Sequence, residues 1–212
     1  MALLSTLRAA TRDAHRMLDH HPLLSPLIRP GLTFDSYARC LSSIYAVQNA
    51  LEQAVTAPPW RAWLPLRSSA LLQDLAQLRC SALPLRVDRS VPSVLSWIPQ
   101  LGLVYVLAGS LKGAQVIANC LQQHLPSQAP MRFFSAAPQP EVWTNLVAAL
   151  ERVPEAEHDS ILQASLAAFA MYQHHLDDCV RQWKVRSTLK EELDGARNPL
   201  RTPDQVLPVV QG

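Results

Sequence analysis

The sequence predicts an all-α, single-domain helical bundle, and three observations carry that prediction. Apolar residues recur at three- and four-residue spacing along most of the chain, with no strand-like alternation. Glycine is scarce, at 6 of 212 residues, while Ala, Leu and Gln, all good helix formers, are abundant. Most of the 17 prolines fall in short clusters between apolar stretches, where they end helices rather than interrupt them. A chain of this length, 49% hydrophobic and 17% charged, can close a core without disulfides or a structural metal.

The first helix is expected from about Ser5 to His20, stopping before Pro22, with Leu7, Ala10, Ala14 and Met17 on its buried stripe. Thr33 is placed to cap a second helix, whose seam is Tyr37, Leu41, Ile44, Gln48, Leu51 and Val55 and which Pro58-Pro59 breaks. Ser68 is the expected cap of a third, with Leu71, Leu72, Leu75 and Leu78 on one face. Pro99 suits the first turn of a helix reaching about His124. Pro140 opens another through Leu150, and Pro154-Glu155 opens the longest. The stripe of that last helix is Leu162, Leu166, Phe169, Tyr172, Leu176, Cys179 and Trp183. Past Lys184 the chain turns polar and proline-spotted. Thr188-Leu189-Lys190-Glu191 has the form of a capping box for one short helix. The expected organisation is a helical domain over 1–184 and a tail over 185–212.

Charge excludes one class of partner. With 19 basic and 17 acidic residues and no basic stripe, the chain does not read as a nucleic-acid binder. Cys40, Cys80, Cys120 and Cys179 are far apart, which fits reduced thiols in a cytoplasmic protein. Ala2-Leu3-Leu4 is too short for the apolar region of a signal peptide, and no run of 18 apolar residues predicts a membrane span.

Function concentrates on two helices. Arg8, Thr11, His15, Leu18 and Asp19, at offsets 0, 3, 7, 10 and 11, share one side of the first helix beside its apolar stripe. Such an edge is more often an ordinary amphipathic boundary than a site. A ligand histidine, however, wants an acceptor for its other ring nitrogen, and Asp19 lies one turn after His15. Elsewhere His20-His21 suits a helix end, and His174, Asp177 and Asp178 read as a solvated face rather than a metal site. Glu155-Ala156-Glu157-His158 is the single E-x-x-H, which excludes a di-iron carboxylate bundle. On the helix after Pro99, Gly109 and Gly113 lie four residues apart in an apolar segment. Each costs roughly 1 kcal/mol relative to Ala. Their spacing bares one patch of backbone, for a close-packed neighbouring helix or for a ligand, and the residues alone leave that choice open.

Taken together, Leu7-Arg8-Ala9-Ala10-Thr11-Arg12-Asp13-Ala14-His15 resembles the proximal helix of haem oxygenases, and Gly109-Ser110-Leu111-Lys112-Gly113-Ala114-Gln115-Val116-Ile117 resembles their distal helix. The resemblance extends over about residues 5 to 183. It implies a bundle of the haem oxygenase type, with haem sandwiched between the first helix and the glycine-containing distal helix. His15 would ligate the iron and Asp19 would be the carboxylate behind it. Arg8 would meet a propionate, and Gly109, Ser110 and Gly113 would line the distal face. Thr11, Leu18, Lys112 and Phe169 complete the implied haem contacts.

The implied reaction opens haem to biliverdin with release of CO and Fe2+, using O2 and electrons from a ferredoxin or reductase. A biliverdin-using photoreceptor is a candidate partner. The sequence departs from the family in three places. Ser110 stands where animal members carry Asp, Lys112 and Ala114 alter the distal turn, and Thr144 and Ala148 stand where animal members hold propionate-binding bases. Arg132 and Arg152 are the candidates to replace those bases. The alternative reading is a relative that binds haem for sensing or storage without degrading it. A thiaminase-like bundle that binds no haem is a third.

Overall fold

The computed structural model describes residues 2–85, 96–135 and 139–197. Among these residues every regular element is helical: α1 (Ala2–Asp19), α2 (Phe34–Ala54), α3 (Pro58–Arg61), α4 (Ser68–Gln77), α5 (Gln100–His124), α6 (Pro140–Leu150) and α7 (His158–Arg197). Short 3-10 turns at Ser25–Ile28 and Glu155–Glu157 add to these. The all-α expectation holds. α7 is the central element, packed against α1, α2 and α5, while α4 closes on α2 and α6 on α5.

Local signals set most helix ends. The Thr33 hydroxyl accepts from the Ser36 N–H at 3.1 Å and caps α2, as expected. All six residues of the expected α2 seam are buried. α4 is a correction, because Ser68 is its first residue and not its cap. The buried carboxylate of Glu52, from α2, accepts from the N–H groups of Arg67 (2.8 Å) and Ser68 (3.1 Å) instead. A full negative charge at a helix N-terminus does this better than a hydroxyl. Leu72, expected on the buried face, is exposed.

α1 is rotated relative to its expected stripe. Leu3, Leu4, Leu7 and Thr11 are buried, whereas Ala10 and Met17 face solvent. The turn after α1 carries His21, which is buried against α7. Its Nδ1 accepts from the Leu23 N–H (3.2 Å) and its Nε2–H donates to Asp177 (3.3 Å).

One glycine does serve helix packing, and it is Gly102. A Cβ there would collide with the Ile161 carbonyl and lie 2.8 Å from the Ala164 Cβ. α5 and α7 therefore touch backbone to backbone, and Ser165 donates to the Gly102 carbonyl at 3.3 Å. By length and mean hydropathy α5 could cross a bilayer, although it holds no unbroken run of 18 apolar residues. However, 56% of that window is buried within the bundle, so its apolarity has a use in the core.

α7 does not end near Lys184. It continues to Arg197 as one helix, and the Thr188 hydroxyl donates back to the Lys184 carbonyl at 3.1 Å instead of capping a new helix. Residues 198–212, with Pro199, Pro203 and Pro208, lie outside the described residues. The four cysteines are unpaired with one another, Cys40 and Cys179 in the core.

Candidate functional site

The exposed edge of α1 presents His15 and Asp19. Their helical i, i+4 spacing brings His15 Nδ1 within 2.9 Å of Asp19 Oδ2, with both side chains more than half exposed. With Nδ1 donating to a carboxylate, the tautomer is fixed and the Nε2 lone pair is left to bind something else. The inner side of the imidazole meets Phe169 of α7, with ring centroids 6.1 Å apart and Phe169 itself buried. Leu18 is half-buried one turn further on.

Thr11, one turn before His15, is buried. Its hydroxyl donates to the Leu7 carbonyl (2.7 Å) and lies 3.2 Å from the Tyr105 hydroxyl. That contact ties α1 to α5. Gly109 and Gly113 lie one and two turns beyond Tyr105 on the same face of α5. A Cβ built on either meets nothing within 4 Å. Helix–helix contact, one of the two readings left open by the residues, is therefore overturned for this pair. Their bare backbone faces open space, while Gly102 alone of the three α5 glycines is pressed against a neighbour.

The two sides of the glycine patch differ in chemistry. On one, Trp143 of α6 gathers two cations, with Lys112 Nζ 4.3 Å from its ring centroid and Arg8 Cζ 5.8 Å. Tyr105 stands beside the same indole at 6.2 Å. On the other, the Ser110 hydroxyl donates to the Leu107 carbonyl (3.0 Å) and accepts from the guanidinium of Arg67.

Arg67 was not foreseen from the sequence. It is buried, stacks on Phe133 at 4.5 Å, and burial lowers its pKa against the opposing pull of Tyr172 and Glu52. Behind it runs a buried polar chain. Tyr172 donates to Gln48 (2.7 Å), Gln48 donates to Glu52 (2.7 Å), and Glu52 receives the Arg67 and Ser68 amides. Burial raises the Tyr172 pKa, so its phenol stays protonated and donates.

The other sequence candidates fall elsewhere. Arg132 lies 3.7 Å from Asp74, and Arg152, just past the C-terminal end of α6, shares a groove with Asn145 and Ala148 whose lining does not include Trp143. Neither is among the cations at the patch; those that meet at Trp143 are Arg8 and Lys112. Thr144 donates its hydroxyl to the Pro140 carbonyl, and Asp177 and Asp178 are engaged by His21 and Arg181. No group of three or more His, Cys, Asp or Glu that could hold a metal ion occurs among the described residues.

A planar tetrapyrrole fits the residues present. One imidazole has its second nitrogen held by a carboxylate, and a Cβ-free patch opens onto space. Apolar surface from Phe169 and Leu18 flanks the imidazole, and two cations lie together at one edge.

Comparison with known proteins bears on the family pattern and the fold. Residues 1–87 match the sequence model of the family described as heme oxygenase. In solved structures the fold is similar to the heme oxygenase from Leptospira interrogans (TM-score 0.67, 21% identity, 84% of this chain and 100% of that one). It is likewise similar to the NO- and CO-bound heme oxygenase from Neisseria meningitidis (0.66, 20%, 84% and 91%). The haem complex of heme oxygenase-1 from the cyanobacterium Synechocystis also matches (0.60, 18%, 90% and 99%). No curated protein matches the chain in sequence. The chain has the haem oxygenase fold, and its first 87 residues, His15 and Asp19 among them, carry that family's sequence pattern.

Proposed function

We propose that this protein is a haem oxygenase that opens haem to biliverdin, releasing CO and Fe2+, with O2 and electrons from a ferredoxin or reductase. One observation carries the reading. Gly109 and Gly113 offer bare backbone to open space, on a helix joined through Tyr105 and Thr11 to the helix that bears His15.

Haem, when bound, supplies both the iron at which O2 is activated and the ring that is consumed. The chain's own residues hold and shield it. His15 Nε2 would hold the iron, with Asp19 at Nδ1 keeping the ring oriented. Phe169 flanks the inner side of the imidazole, with Leu18 one turn further along α1. Arg8 and Lys112, gathered on Trp143, receive the propionates from the cleft edge and fix the ring's in-plane orientation. Ser110 is held by Arg67 and takes the place that an ionised carboxylate has in animal members. The reaction belongs in the cytoplasm, where haem, a ferredoxin or reductase and a biliverdin-using photoreceptor are its partners.

The test adds haem and then a reductant in air to the full chain. Decay of the Soret band into the broad red absorption of biliverdin is the expected outcome. A stable Soret band would replace this reading with haem sensing or storage, and no Soret band on adding haem would remove haem from the account altogether.

A further inference from the structure

On the face of α6 turned away from Trp143 lies a groove of about 520 Å³ that the haem reading does not use. Four chain segments converge on it: α3 with the turn after it, residues 97–98 with the start of α5, the C-terminal half of α6, and the turn into α7. It takes three of the chain's five tryptophans, Trp60, Trp63 and Trp97. Trp60 is buried at the base, with ring centroids 6.1 Å from Trp63 and 5.6 Å from Trp97. Its indole N–H donates to the Trp97 carbonyl at 2.8 Å, which fixes the cluster's geometry. Trp97, by contrast, is 54% exposed.

A tryptophan cluster that served packing alone would close on itself and bury its rings. This one leaves an indole half in water beside a space of the size that small-molecule sites have. The walls across from the indoles are low, being Ala148 and Ala149. The lining carries a single formal charge, the guanidinium of Arg152, with the Asn145 amide beside it and no carboxylate.

We propose that this groove is a second ligand site, for a planar aromatic or conjugated acid. The flat body stacks on Trp97 and against Trp63. The acid group meets Arg152, with Asn145 as a neutral donor. The site is separate from the haem cleft, because Trp143, which gathers Arg8 and Lys112, points from a different side of the same helix.

The probe for a test is 8-anilinonaphthalene-1-sulfonate, an aromatic anion with a flat naphthalene body, titrated into the full chain. Binding should be saturable at one site, with energy transfer from tryptophan to the probe. Trp97→Ala should abolish it, and Arg152→Gln should weaken it by about tenfold, as loss of one charge-assisted contact implies. N-phenyl-1-naphthylamine, which lacks the sulfonate, should bind wild type weakly and be indifferent to Arg152→Gln. Both substitutions are of exposed side chains, and near-ultraviolet circular dichroism checks that the fold is kept. Binding unchanged in both variants would overturn the proposal, as would stoichiometric displacement of the probe by haem, which would put it in the cleft. Equal affinity for the two probes would overturn the acid specificity. None of these outcomes depends on whether haem is degraded, so the groove and the proposed function fail separately.

Discussion

The two helices that flank the site are held in opposite ways. On α1 the His15–Asp19 pair is local and wet, its members one turn apart, more than half exposed and bonded to each other. On α5 the glycine patch is backed by a buried chain of residues drawn from three other parts of the sequence, Tyr172, Gln48 with Glu52, and Arg67. The difference lies in what the fold depends on. The α1 pair can be altered with little effect on the fold. The support behind α5 cannot, because each member satisfies a buried partner that has no water to turn to.

The largest expected effect comes from cutting that support. Glu52→Ala leaves the Arg67 and Ser68 backbone N–H groups and the Gln48 amide without their acceptor, and removes a carboxylate from the neighbourhood of the buried Arg67 guanidinium. It should cost about 3–5 kcal/mol in denaturant unfolding. A loss below about 1 kcal/mol would mean that the chain is not what holds α4 and α5.

His15→Ala tests the other side. Unfolding stability should move by no more than about 0.5 kcal/mol, as for exposed substitutions generally. The histidine signature in resonance Raman and electron paramagnetic resonance spectra of the haem complex, and biliverdin formation, should disappear. A mutant that keeps the signature would move the ligand to another histidine.

Gly113→Ala sharpens the contrast between the glycines. With open space at its Cβ, Ala should leave the apoprotein as stable or raise it by roughly 1 kcal/mol, while biliverdin formation falls. Gly102→Ala should do the reverse, destabilising the fold through collision with α7. Melting curves and turnover per bound haem on the pair would expose any exchange of roles.

The smallest effect is a pH dependence at the α1–α7 contact. Burial lowers the His21 pKa below its usual 6.5, outweighing Asp177, so the folded state holds the ring neutral while Nδ1 accepts from Leu23. The unfolded chain takes up that proton first, so the contribution is complete above about pH 6.5 and declines as pH falls below it. His21→Gln should flatten that limb of the stability profile. An unchanged profile would place the titration elsewhere.

What was legible in the sequence follows the same division. The His15–Asp19 pair, the Thr33 cap, the α2 seam and the Pro140–Leu150 helix rest on residues three or four apart, and spacing is enough to read them. Misreadings arose where a partner came from far away. Ser68 looked like a cap until Glu52 took the position, and Met17 looked buried until α7 set the rotation of α1. Thr188 looked like a helix start, although nothing in the chain stops α7 before it. Arg67 gave no signal at all, because a lone arginine before a helix does not announce that it is buried.

The sequence by itself determined the helices, the scarcity of glycine that makes each one informative, and the α1 face that carries the imidazole and its carboxylate. Those properties depend on backbone preference and on the 3.6-residue period, which act within a few residues. The tertiary structure alone decided which glycine is pressed against a neighbouring helix and which ones face open space. It also decided which arginine lies behind Ser110, and that Arg8 and Lys112 meet at Trp143. Each of these depends on what another helix places within a few ångströms, and the chain encodes that only through the packing of the whole core.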